Sequence, residues 1–133
     1  MGSQTRAGDI ALGSPLVYLK PKLLNQIMHD TLLIGWTTVD SEAVAQRLAS
    51  GLVATRLAAC VQIDASVQSV YRWEGAVQSA SEWRLMVKFS AARSAELLAY
   101  IEAQHPYDVP EWVVVRAEQV APAYLKWALG ESE

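Results

Sequence analysis

The sequence predicts one α+β domain, a ferredoxin-like split βαβ sandwich closed by an extra C-terminal helix. Three observations lead there. The chain has 133 residues, the length of a single domain. Its hydrophobic periods run strand, helix, strand, strand, helix, strand and a short closing helix. Its two middle strands are long alternating runs joined at Glu74-Gly75, a turn signal.

Each element has its own signal. Leu32-Leu33-Ile34-Gly35-Trp36-Thr37-Thr38 is a short, nearly continuous apolar run that suits a strand buried on both faces. Asp40 or Ser41 can cap the helix that follows, with Glu42 in its first turn. Val44, Leu48 and Leu52 recur every four residues beside Ala45 and Ala49, an apolar stripe ending near Thr55. Residues 59–73 read as one long, bent strand. In the return strand Trp83, Leu85, Val87 and Phe89 alternate with Arg84, Met86 and Lys88. Residues 90–104 read as the second helix of the sandwich, with Leu97, Leu98 and Ile101 as its buried stripe and Pro106 as its stop. Trp112-Val113-Val114-Val115 is the fourth strand. Residues 122–129 form the closing helix, with Gly130 as its expected end. Right-handed crossovers put both long helices on one sheet face, and partner subunits are the simplest cover for the other.

The chain divides near Met28. Residues 1–27 are an N-terminal extension and residues 28–133 the domain. Residues 2–15 read as a tail or a remnant of expression, because they carry no sustained hydrophobic period. Residues 21–28 place Leu23, Leu24, Ile27 and Met28 on one helical face behind Pro21, which predicts a short docked helix.

Composition excludes several function classes. Hydrophobic residues make up 52% of the chain and charged residues 19%, below the usual share of about 25%, so whole-chain disorder is excluded. The same excess points to surface hidden by self-association. The net charge is −3 and no basic stripe is present, so no nucleic acid is expected as a partner. Apolar runs fall far short of the ~20 residues that span a bilayer, so no membrane partner is expected. The lone Cys60 suits a reducing, cytoplasmic setting, and no signal peptide is expected.

Four motifs occur in order: Leu57-Ala58-Ala59-Cys60-Val61, Val70-Tyr71-Arg72-Trp73-Glu74-Gly75, His105-Pro106-Tyr107-Asp108-Val109-Pro110-Glu111, and Ala123-Tyr124-Leu125-Lys126-Trp127. Together they resemble the CutA family of divalent-cation tolerance proteins, from about Thr31 to Trp127. The resemblance implies a tight homotrimer similar in shape to PII signalling proteins, a link to copper and other divalent cations, and no catalytic reaction. Some members carry a cysteine near the end of the first strand as a proposed copper ligand. Here that stretch reads Gly35-Trp36-Thr37-Thr38. Gln104 stands where some members have a second histidine before the His-Pro-Tyr motif.

Within this frame His105 is the metal-ligand candidate, since imidazole nitrogen suits copper and zinc. At a helix end the helix dipole favours its cationic form, and capping of carbonyls is its structural alternative. Trp73, Glu74, Tyr107 and Glu111 are the candidates for a ligand cleft between subunits, the alternative being a PII-like signalling or structural trimer that takes a small ligand or anchors a partner protein. Cys60, in an apolar run, reads as a small buried hydrophobe. Asp108 and Glu111 read as turn and cap chemistry. No phosphate loop, serine elbow or zinc-ligand spacing is present, so no enzyme is expected. The charge-poor stretches 76–81 and 90–95 read either as lineage drift or as a further contact surface, because small uncharged side chains permit close approach.

Overall fold

The computed structural model describes residues 18–132, so the tail expected over residues 2–15 lies outside the described residues. The elements are α1 (Pro21–Asp30), β1 (Leu32–Val39), α2 (Glu42–Ala54), β2 (Cys60–Trp73), β3 (Ala76–Ser90), a 3-10 turn (Ala91–Arg93), α3 (Ser94–Gln104), β4 (Val113–Arg116) and α4 (Pro122–Glu131). They form a four-stranded sheet in the order β2-β3-β1-β4, every neighbouring pair antiparallel. The α+β class with an antiparallel sheet is therefore observed. Helix α2 carries the chain from β1 past β3 to β2, and α3 carries it from β3 past β1 to β4.

The core explains the pattern. Leu48 and Leu52 of α2, Leu97 and Ile101 of α3, Val39 of β1 and Leu85, Val87 and Phe89 of β3 are buried in one cluster. Both long helices therefore cover the same sheet face. Ser41 caps α2, its Oγ accepting from the Val44 N–H at 3.2 Å. The second helix starts later than expected, because residues 91–93 first wind as a 3-10 turn whose start is capped by Ser90. Leu98, expected in the buried stripe, is 39% exposed. The stripe leans instead toward Tyr100, which packs against the core. Gly51 of α2 makes this possible, because a Cβ there would collide with the Tyr100 hydroxyl.

The first strand, expected to be buried on both faces, is buried on one and half-covered on the other. Among the described residues, α4 is the element that lies over that second face. Ala128 of α4 is buried with Leu32 and Ala59, and Tyr124 and Leu125 pack beside them. Lys88 Nζ donates to Tyr124 Oη at 3.3 Å and stands 5.2 Å from that ring's centre. Further along the same face Trp36 and Met86 are half-buried, while Val113 and Val115 are exposed. Cys60, also on this face, is half-buried rather than buried.

Two further expectations are corrected. Helix α4 runs through Gly130 to Glu131 rather than ending at the glycine. Ser132 holds that last turn: its N–H and its Oγ both bond the Ala128 carbonyl, at 3.2 and 2.8 Å, and its Oγ accepts from the Ser90 N–H at 3.2 Å. The contact surface weighed at residues 90–95 is covered in part by the chain itself, at residues 90–93. Helix α1 packs on the 3-10 turn, with the Ala91 N–H donating to the Thr31 carbonyl at 2.9 Å and Ser90 Oγ donating to the Met28 carbonyl at 3.3 Å. Small side chains there admit the helix, whose Leu23, Leu24, Ile27 and Met28 are half-buried.

The β2–β3 arm positions the site. Its register shifts between Asp64 and Val67, with Ser66 at φ 52°, and the shift bends the strand. The arm ends in a two-residue turn in which Glu74 (φ 50°) and Gly75 (φ 80°) both take the left-handed conformation, as a hairpin twisted with its strands requires.

Candidate functional site

The loop after α3 builds one wall of the site. The His105 N–H donates to the Ile101 carbonyl at 2.9 Å and closes the helix, and Pro106 cannot continue it. The His105 ring is 8% exposed. Its Nδ1 accepts the Tyr107 N–H at 3.1 Å, and its Nε2 lies 3.0 Å from both Thr37 Oγ1 and the Thr38 carbonyl. A carbonyl only accepts, so Nε2 carries the proton and the ring is the neutral Nε2–H tautomer. Burial pulls the His105 pKa below its ordinary value, against the Thr38 carbonyl and the charges of Glu82 and Asp40, which pull it up. The cationic imidazole expected from the helix dipole gives way to a neutral ring, because desolvation outweighs a helix-end charge effect.

Tyr107 stacks edge-on against His105 with ring centres 4.8 Å apart, and its Oη donates to Glu82 Oε2 at 2.8 Å. Burial, followed by that bond, raises the Tyr107 pKa well above the ordinary phenol range, so the hydroxyl stays a donor. Glu82 is 8% exposed, an unusual degree of burial for a carboxylate. Glu111 has its pKa raised by burial and then by the charge of Glu82, while Arg84 pulls it down. Arg84 is tied to Asp64, its Nε and Nη2 both donating to Oδ2 at 3.2 and 2.9 Å.

These groups surround a cleft of about 760 Å³ between the bent arm and the 106–111 loop. Trp73, Tyr107 and Glu111, three of the four sequence candidates, line it together. Glu74 stands outside the lining, at the tip of the arm. Asp40, Tyr71, Glu82 and Asp108 line it as well, although from sequence they had other roles or none. Four of the lining residues are carboxylates, and the lining includes no lysine, arginine or histidine. The signal for Glu82 was faint: it is the first charge after the neutral run 76–81, on the same strand face as Arg84.

His105 lies beneath this cleft rather than in its lining, with both ring nitrogens engaged within the chain. Among the described residues of the single chain, no group of three or more His, Cys, Asp or Glu converges so as to hold a metal ion. The described donors of a single chain do not make a copper site by themselves.

Fold and cleft define a small α+β protein with an acidic, aromatic-walled hollow at one end of an antiparallel sheet. Residues 33–131 match the family model described as CutA1 divalent ion tolerance protein. The divalent-cation tolerance protein CutA of Pectobacterium atrosepticum is 40% identical over 98 residues, covering 74% of this chain and 88% of its own. The chloroplastic protein CutA of Arabidopsis thaliana is 37% identical over 95 residues, covering 71% of this chain and 52% of its own. The solved divalent cation tolerance protein of Thermus thermophilus superposes with a TM-score of 0.74 at 37% identity, covering 77% of this chain and 99% of that one. The chain belongs to the CutA1 divalent ion tolerance family, and divalent-cation tolerance is the function this membership gives it. Among the described residues, no helix is long and apolar enough to cross a membrane.

Proposed function

We propose that the chain is a ferredoxin-like protomer of a PII-like homotrimer that serves divalent-cation tolerance without catalysing a reaction, with the cleft at Trp73, Tyr107 and Glu111 as its ligand site. The cleft carries this reading: a hollow of about 760 Å³ has the size of small-molecule sites, about 300–1,000 Å³. It pairs exposed aromatic walls with carboxylates and sits beside the sheet face that α4 leaves uncovered. Trp36, Val113 and Val115 on that face supply the apolar surface an obligate interface needs. His105 supports the loop beneath the cleft. A cytoplasmic location fits the single Cys60, and the chloroplastic name of one relative makes fractionation the test.

A second reading has copper held directly. The negative lining favours it, and carboxylates from a neighbouring subunit would have to complete the ligand set. Sedimentation of the untagged protein tests the assembly: a trimer is expected, and Trp36→Glu should release monomer. A folded wild-type monomer at micromolar concentration overturns it. Copper titration of wild type, Glu82→Gln and His105→Ala tests the cleft. Affinity lost in Glu82→Gln and kept in His105→Ala supports direct holding at the cleft, whereas loss only in His105→Ala moves the metal to the histidine.

A further inference from the structure

We propose that the cleft between the β2–β3 arm and the 106–111 loop is a receptor for an organic ammonium group, seated between the Tyr71 and Trp73 rings and the Glu82 carboxylate. The inference rests on the cleft being the ligand site and names the chemistry it takes.

Charge sets the sign of the ligand. Asp40, Glu82, Asp108 and Glu111 face the hollow, and the lining includes no basic side chain to offset them. Arg84, the guanidinium whose charge reaches Glu111, is itself bonded to Asp64. A cation entering the cleft therefore meets a net negative field.

Geometry then selects the kind of cation. A divalent metal draws several oxygens to about 2.0–2.6 Å from one point. Among the described residues these carboxylates do not converge that way. Spread around a hollow, they suit a cation whose charge is spread over a larger body. Glu82 is the fixed point: it is nine-tenths buried, Tyr107 holds its Oε2, and its Oε1 has no hydrogen-bond partner among the described residues. That oxygen is an open acceptor, in a residue that lines the cleft.

The aromatic walls supply the other half. Ser69, Tyr71 and Trp73 alternate onto one face of β2, and Ala80 and Glu82 share that face on β3. Ser69 pairs with Ala80 across the strands, and these two small side chains leave the space between the rings and Glu82. Trp73 is 47% exposed, its indole available to a ligand. An alkylammonium over an indole or phenol face gains cation–π attraction, and its methyl groups cover apolar ring surface.

The test is calorimetric titration of the full chain with tetramethylammonium chloride, beside neopentyl alcohol as the neutral isostere and cupric chloride as the metal. Saturable ammonium binding is expected, with the alcohol failing to bind. Glu82→Gln, which keeps an acceptor for Tyr107, and Trp73→Leu, on the exposed arm, should each weaken binding about tenfold, and Trp73→Phe should retain most of it. Asp108→Asn at the exposed rim should weaken it less, which keeps the test valid if Glu82→Gln fails to fold. Equal affinity for the alcohol, or ammonium affinity unmoved by both Trp73→Leu and Asp108→Asn, overturns the proposal. Copper saturating the wild type but not Glu82→Gln, with no ammonium binding, overturns this inference and leaves the cleft reading standing. Absence of binding by both cations overturns both.

Discussion

Tyr107 Oη donates a 2.8 Å hydrogen bond to Glu82 Oε2, and that bond joins the loop after α3 to strand β3 across the floor of the cleft. Residues 25 positions apart in sequence meet there, one supplying the only proton the other's buried oxygen receives within the described residues. Tyr107→Phe removes the donor and leaves a buried carboxylate bare. Losing one partner of a buried polar pair typically costs about 1–3 kcal/mol. Denaturant unfolding at fixed protein concentration should register a loss of that size, and the Tyr107→Phe, Glu82→Gln double variant should lose less than the two single losses combined.

Acidification should act through His105. Its folded pKa lies below the ordinary 6.5, with burial as the main cause. A depressed folded pKa means that the histidine's contribution to stability is present above about 6.5 and lost as pH falls through the folded value. Protonation also takes away the Nδ1 lone pair that accepts the Tyr107 N–H. The melting temperature of wild type should therefore fall more between about pH 7 and pH 5 than that of His105→Gln. Parallel curves for the two proteins would remove His105 as the cause.

Gly35 is a packing device. A Cβ at this position would run into the six-membered ring of Trp112, whose own neighbour is Phe89 with ring centres 5.9 Å apart. Gly35→Ala should destabilise the fold by about 1–3 kcal/mol, the range for overpacking. Adding Trp112→Leu should recover part of that loss if the clash is the cause, and thermal melts of the single and double variants decide it.

Helix α1 lies before residue 33, where the family match begins. Deleting residues 2–26 removes Leu23 and Leu24 from their seat, yet keeps the Met28 and Thr31 carbonyls that bond Ser90 and Ala91. Burial of two half-covered leucines is a small gain set against the entropy of ordering the segment. The melting temperature should drop by about 2–8 °C with the sedimentation coefficient still that of the same assembly. Dissociation after this deletion would make the extension part of the interface.

Local periodicity made the framework legible. Alternation in residues 83–89 and the four-residue spacing of Val44, Leu48 and Leu52 fix which faces are apolar whatever lies opposite, and Glu74-Gly75 specifies a tight turn by its own backbone preferences. Element ends were less legible. Gly130 looked like a stop, yet Ser132 finds the Ser90 N–H, a partner 42 positions away. Leu98 looked buried, and the space that Gly51 leaves for Tyr100 rotated the stripe away from it.

Short-range pattern and ordered motifs were enough for the α+β class, the strand and helix order, the family and three residues of the cleft, Trp73, Tyr107 and Glu111. Tertiary structure alone decided what those residues face. It buried Glu82 against Tyr107, turned His105 into a neutral support with both nitrogens engaged, and seated α1 on residues 90–93. The physical reason is that burial and hydrogen-bond partnership are properties of pairs. Neither a charged side chain's desolvation nor a histidine's tautomer is fixed until a distant segment supplies the other half.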